Sequence, residues 1–291
     1  MDILLVLLTI IMTAATPLLL AALGEMVTER SGVLNLGVEG MMVMGAVAGF
    51  GGAYATGNPW IGVLASIVAG MFMSLLFGFL TLTLLANQVA TGLALTLLGL
   101  GLSALLGESF VGQPGVKLPS LGGIDPLVPF ALFMVFAVGK FLFGTKMGLV
   151  IRAVGNSHTS AHALGYNVIG VRYVAVLFGG AMSGLAGGYL SIVYTPQWVE
   201  NMTAGRGWIA LALVVFASWL PFRILAGAYL FGTISILSFV LQAQGSGIPS
   251  QFLSSLPYLG TILALVVISG NKALTRRNTP ASLGQPFVPD R

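Results

Sequence analysis

The apolar positions of this chain do not form stripes; they fill whole segments. These lie near residues 3–23, 33–55, 60–83, 89–107, 126–144, 172–194, 207–221, 224–243 and 256–270. About 20 apolar residues coiled as an α-helix match the ~30 Å hydrocarbon core of a bilayer. A β-barrel would instead alternate apolar and polar positions along short strands. The pattern predicts an all-α, polytopic membrane protein with about nine transmembrane helices, within a range of roughly 8–10.

One segment breaks the uniform apolarity. From Ala22 to Gly52 the chain reads ALGEMVTERSGVLNLGVEGMMVMGAVAGFGG and carries Glu25, Glu29, Arg30, Asn35 and Glu39. Charge in or beside an apolar span is costly, so it marks function first. Gly32, Gly37, Gly40, Gly45 and Gly49 weaken a continuous helix and let backbones approach. The stretch reads as a broken or tightly packed membrane segment lining a pathway. Glu25, Glu29 and Arg30 are expected at the inner membrane face, solvated or turned to a partner. Asn35 and Glu39 are expected inside the span.

Two connections are long. Gly and Pro exclude a regular helix from 108–125, which is either a passive connector or an outer docking surface or gate. In 145–171, Asn156 and Ser157 are good N-caps and Gly165 is a good terminator. Between them HTSAHAL can form about two turns of helix, which is either a lever on which an external partner can push or a solvated loop. In the sixth span Gly180, Gly184 and Gly188, with Gly179 and Gly187 beside them, predict close helix packing within the subunit. Residues 40–70 and 207–232 share a weak pattern of Gly, aliphatic span, Pro and second aliphatic span.

Charge orients the spans. Ten of the 12 basic residues fall on one side if the C-terminus, with Lys272, Arg276, Arg277 and Arg291, is cytoplasmic. Arg30, Lys140, Lys146, Arg152, Arg172 and Arg223 join them, and only Lys117 and Arg206 fall outside. That asymmetry is the positive-inside pattern of a cell-membrane protein with a cytoplasmic C-terminus. It gives the two similar segments opposite directions, as in an inverted repeat. A single transmembrane domain is expected over 1–275, with a cytoplasmic tail over 276–291.

Composition sharpens the class. The chain is 57% hydrophobic, only 7% charged, and has a mean hydropathy of +0.99. No room is left for a soluble catalytic domain of ordinary size. The net charge of +4 is explained by inner loops and does not call for nucleic acid. With no cysteine there is no disulfide or thiol chemistry. The first segment lacks a basic n-region and a clear cleavage site, which favours a retained span over a signal peptide.

The candidate chemistry is sparse. No G-x-x-x-x-G-K-[ST] occurs, so ATP cannot be bound through a P-loop. His158 and His162 stand at i, i+4, but no acid in their loop completes a metal site. The expectation is no metal and no cofactor. Glu39 is the one strong intramembrane carboxylate, fewer than an ion-coupled transporter usually needs. Amides and hydroxyls near it suit a polar, uncharged solute, and the pathway candidates are Asn35, Glu39, Asn87, Gln88 and Thr91. The bland reading of each is a helix-to-helix hydrogen bond.

Four motifs resemble one family. They are GEMVTERSGVLNLGVEGMMVMGA (Gly24–Ala46), NQVATGLALTLLG (Asn87–Gly99), GLVIRAVGNSHTSAHALGYNV (Gly148–Val168) and GRGWIALALVVF (Gly205–Phe216). Together they are similar to permeases of the simple-sugar and nucleoside class of ABC transporters, within the ribose and branched-chain amino acid permease superfamily. The resemblance implies a large-core importer fold and alternating access. It implies a partner ATPase subunit that binds the ATP, and an extracytoplasmic substrate-binding protein. It also implies a second, homologous permease subunit, more often a different chain than a copy of this one. The chain itself is then a transport subunit in membrane lipid, not an enzyme. Its contact with the ATPase is expected about Ser157–Gly165, with Arg152, Asn156, Ser157, His158, Ala161, His162 and Gly165 as the coupling residues. A nucleoside or simple sugar is the expected solute. The residues alone leave open an ATPase-independent channel or secondary transporter. An intramembrane enzyme would need a catalytic pair within the spans, and none is present.

Overall fold

The computed structural model describes residues 3–120, 122–244, 247, 249–269 and 278–288. Lys272, Arg276, Arg277 and Arg291 lie outside the described residues. The described chain is helical throughout: α1 (Ile3–Arg30), α2 (Val38–Thr56), α3 (Pro59–Gly78), α4 (Gln88–Gly107), α5 (Leu127–Gly144), α6 (Lys146–Asn156), α7 (His158–Ala163), α8 (Val168–Tyr189), α9 (Arg206–Phe216), α10 (Pro221–Ala243) and α11 (Ser250–Ser269). Short π turns extend α3 over Phe79–Thr83 and α8 over Leu190–Tyr194.

Among the described residues, six segments are long and apolar enough to cross a membrane: Val6–Arg30, Pro59–Thr83, Gln88–Phe110, Leu127–Gly144, Val168–Tyr194 and Pro221–Ala243. Large apolar side chains such as Phe72, Leu97, Phe133 and Leu105 point outward from them, as in a lipid-embedded surface. The expected count of about nine is not reached. The segment at 207–221 is helical only over the 11 residues of α9, about 16 Å, roughly half a bilayer. The segment at 33–55 is broken, because the chain is non-helical over residues 31–37 before α2 begins. The segment at 256–270 falls on α11 and runs into residues outside the described set.

α1 and α8 lie side by side at the centre. α1 also packs on α9 and α10, and α8 on α2 and α3. The elements after each are alike: a break, a helix, and a helix that starts on a proline, Pro59 or Pro221. The glycines of α8 make its contacts possible. A Cβ on Gly184 would run into the Ser66 carbonyl of α3, and one on Gly187 into the Met42 carbonyl of α2. Lipid supplies no hydrophobic drive between helices, so such backbone-to-backbone contact is what holds the bundle.

The break at 31–37 places α2. Leu34 N donates to Gln88 Oε1 at 2.8 Å, at the start of α4. Thr96 Oγ1 donates to Leu36 O at 3.1 Å, and Gly40 rests against Gly99. The extended segment thus climbs along α4, and α2 starts level with the middle of that helix.

The charges at the end of α1 are not solvated. Glu25 is 0%, Glu29 1% and Arg30 6% exposed, against the expectation of an open inner face. The helix runs unbroken to Arg30, and the turn between α9 and α10 closes over its end. Trp219 Nε1 donates to Glu29 Oε2 at 2.5 Å, and Arg30 Nη2 donates to Trp219 O at 2.9 Å. Both Ser218 and Trp219 have positive φ, 51° and 55°, a strained pairing for side-chain-bearing residues that these bonds hold in place.

Candidate translocation site and coupling face

Glu39 sits in the first turn of α2, buried, facing the first turn of α9. Its Oε1 accepts from Thr203 Oγ1 at 2.6 Å and from Gly205 N at 2.8 Å. Its Oε2 accepts from Gly207 N at 2.6 Å. The carboxylate therefore caps a helix N-terminus, where free N–H groups and the helix dipole favour negative charge. Glycine is required twice here. Gly205 has φ +80°, and a Cβ on Gly207 would collide with Glu39 itself.

This carboxylate holds two interrupted helices end to end, level with the middle of α4. The held turn carries Arg206 into a cavity of about 160 Å³ between α1, α9, α10 and α11. Tyr194, Ser235, Ser238, Gln242 and Tyr258 line it. Arg206 Nη1 donates to Met202 O at 3.1 Å, and the guanidinium lies 5.4 Å from the Tyr194 ring centre. Tyr258 hydroxyl donates to Ala204 O at 3.1 Å. A cation, an amide, hydroxyls and aromatic faces can together hold a small polar solute.

The other expected pathway residues do not join Glu39. The Asn35 side chain accepts from Gly37 N at 2.9 Å, and its backbone N–H donates to Glu25 Oε1 at 3.2 Å. It is buried and shapes the break. Asn87 is exposed and caps α4 by accepting from Ala90 N at 3.0 Å. Gln88 is buried, bonded to Leu34 N, and its Nε2 has no partner among the described residues. Thr91 is half-buried, one turn along α4. Tyr194, Gln242 and Tyr258 carry no signal in the sequence, since each looks like a span-end residue. The one available signal was Arg206, one of two basic residues on the far side of the charge count.

In the connection 145–171, the expected short helix is α7 (His158–Ala163), preceded by a further helix, α6 (Lys146–Asn156). Ser157 caps α7 through a bond from Ser160 N at 3.3 Å, and Gly165 leaves it at φ +85°. Asn156 is the last residue of α6 and not a cap. Arg152 Nε donates to Leu142 O at 2.9 Å, and its guanidinium lies 5.0 Å from the Phe143 ring centre, which ties α6 to α5. Ala161 is buried beside Val150, Val154 and Val168. Leu164 and Tyr166 stand exposed at 77% and 44%, an apolar pair in a polar loop that sequence reading passed over. The histidines do not converge on a metal. Each ring meets the edge of Phe287 at 5.3 Å, with interplanar angles of 63° for His158 and 62° for His162. Among the described residues no group of three or more His, Asp or Glu could hold a metal ion. Burial first, and then the Arg172 charge, push the His158 imidazole below its ordinary range.

The connection over 108–125 packs rather than dangles. Val111 and Trp198 form an isolated bridge, and Trp198 is buried against Gly107. Residues 111–114 and 196–200 enclose a cavity of about 510 Å³.

Over residues 7–269 the chain matches the protein family described as branched-chain amino acid transport system / permease component. It is 40% identical over 311 residues to a Haloferax volcanii protein provisionally named a glucose ABC transporter permease, covering 94% of each chain. It is 32% identical to a guanosine ABC transporter permease of Bacillus subtilis, over 94% of this chain and 93% of the relative. It is 30% identical to a nucleoside ABC transporter permease of Lactococcus lactis, over 88% and 90%. No solved structure matches the chain.

Proposed function

The chain belongs to the branched-chain amino acid transport system / permease component family, and from that premise we propose how it works: as the membrane-spanning subunit of an ATP-driven importer, it moves a nucleoside or simple sugar by alternating access. The observation that carries this reading is the pair of interrupted helices held together by Glu39. Half-helices that meet at mid-depth are where transporters of this general build place their solute. The series α1–α2–α3 and α8–α9–α10 are read as inverted repeats, and rocking one against the other alternates access. The solute passes the Arg206 cavity, whose charge is offset: Gly205 and Gly207, on either side of Arg206, both donate to the Glu39 carboxylate. A neutral, hydroxyl-rich solute suits that balanced field better than an anion.

The division of labour follows. ATP is bound and hydrolysed by a partner ATPase subunit docked on α7, around the exposed Leu164 and Tyr166. A second, homologous permease subunit completes the pathway, and an extracytoplasmic binding protein delivers solute to the outer cavity near Trp198. The C-terminus is cytoplasmic.

The test is co-purification from a host that expresses the whole transporter. A P-loop ATPase subunit should accompany the tagged chain in detergent. Recovery of this chain as a free-standing, ATPase-independent solute carrier would overturn the reading.

A further inference from the structure

We propose that residues 278–288 form a strap that sets the position of α7, and that Phe287 is its positioning residue. The role in transport rests on α7 being the ATPase contact; the strap itself does not.

α7 has six residues, too few to be stable alone, and Ala161 is its only buried side chain. Ala161 is buried in a cluster with Val150, Val154, Val168 and Phe287. Phe287, at 6% exposure, also lies against both histidine rings of α7. The i, i+4 spacing puts those rings on one helix face, and the Phe287 ring centre lies 5.3 Å from each.

The rest of the strap is fastened to elements that do not belong to α7. Arg30 Nη1 of α1 donates to Asn278 O at 3.0 Å. Ser282 N donates to Gly155 O at 2.9 Å, and Gly284 N to Gly32 O at 3.1 Å. Arg172 Nη1 of α8 donates to Gln285 O at 3.1 Å. The strap therefore spans from the ends of α1, α6 and α8 to α7. Glycine makes the crossing tight, since a Cβ on Gly32 would meet the Ser282 carbonyl and the Arg172 guanidinium. Any shift of the α1 end relative to α8 reaches α7 through Phe287. Conversely, a push on α7 is resisted against the bundle rather than absorbed by a loose loop.

The experiment uses the assembled transporter in proteoliposomes, with Phe287→Ala and Phe287→Tyr compared to the natural chain. Two readouts are taken: hydrogen exchange over 157–165, and solute taken up per ATP hydrolysed. Phe287→Ala is expected to speed exchange over 157–165 while α4 is unchanged. It should lower uptake per ATP by roughly fivefold or more, and Phe287→Tyr should restore both. Unchanged exchange overturns the strap. Faster exchange with an unchanged uptake-to-ATP ratio overturns the positioning role and leaves a packing contact only. If the natural chain shows no ATP-driven uptake, the functional reading has failed, and the exchange measurement still decides the strap.

Discussion

Gly207 N donates to Glu39 Oε2 at 2.6 Å, so the first turn of α9 is bonded to the first turn of α2 across 168 residues of sequence. The carboxylate has three donors in all, and both of its oxygens are occupied. It is an anchor for two helix starts.

Replacing that anchor should loosen the mid-membrane junction. Glu39→Gln keeps the shape but removes the charge and turns one acceptor into a donor facing an N–H. Hydrogen bonds to a charged group are worth about 1.5–3 kcal/mol each, so a loss of roughly 2 kcal/mol is expected. Thermal unfolding of the purified complex should show a lowered Tm. Uptake should fall in the Glu39→Gln, Asn87→Ala double variant, and wild-type uptake there would remove Glu39 from the pathway.

The glycine contacts of α8 predict a steeper effect. Gly187→Ala puts a methyl group onto the Met42 carbonyl, and Gly184→Ala puts one onto Ser66. Overpacking of this kind costs about 1–3 kcal/mol, more where only backbone can yield. Size-exclusion profiles of the two variants should show reduced assembly. Gly101→Ala, where nothing lies within 4 Å, should behave as the natural chain.

On α7, the proposed ATPase contact, Ala161 and Ala163 separate packing from contact. Ala161 is buried, and Ala163 is exposed. Ala163→Arg should leave the Tm unchanged and reduce uptake per ATP hydrolysed. Ala161→Arg should lower both the Tm and the yield of complex. Normal uptake by an assembled Ala163→Arg complex would exclude α7 as the ATPase contact.

His158 gives the strap a pH dependence. Its ring packs on Phe287, as does that of His162, and its Nδ1 lies 3.5 Å from Arg172 Nη2. A folded value below the ordinary 6.5 means that the folded chain favours the neutral ring. The stability this contributes is present above about pH 6.5 and is lost as pH falls through the lower folded value. Intrinsically corrected hydrogen exchange over 157–165 should therefore rise between about pH 7 and about pH 5.5. The rise should be absent in His158→Gln.

The α-helical class and the short helix α7 were legible because apolar run length, N-cap chemistry and a C-terminal glycine are local signals. Ser157 and Gly165 do what their types predict. The α8 glycines were legible too, since four-residue spacing is a helix-face pattern. The buried ends of α1 were not. Glu29 and Arg30 resemble any span-end charge until Trp219 and Asn278, about 190 and 248 residues away, meet them, and Glu25 until the break brings Asn35 N against it. The count of about nine spans is not confirmed among the described residues, for the same reason in reverse. A half-length helix such as α9 and a full crossing have similar composition, and only the partner at its start, Glu39, reveals the depth at which it begins. The cavity around Arg206 draws one or two residues from each of several elements, so no stretch of sequence announces it.

The central claim is that this chain translocates solute only when driven by a partner ATPase. Its most direct test is uptake of radiolabelled nucleosides and monosaccharides into proteoliposomes holding the complete transporter and its binding protein. The account predicts ATP-dependent accumulation, which vanishes when the ATPase subunit is omitted or its P-loop lysine is replaced. Accumulation that persists without the ATPase subunit would contradict it.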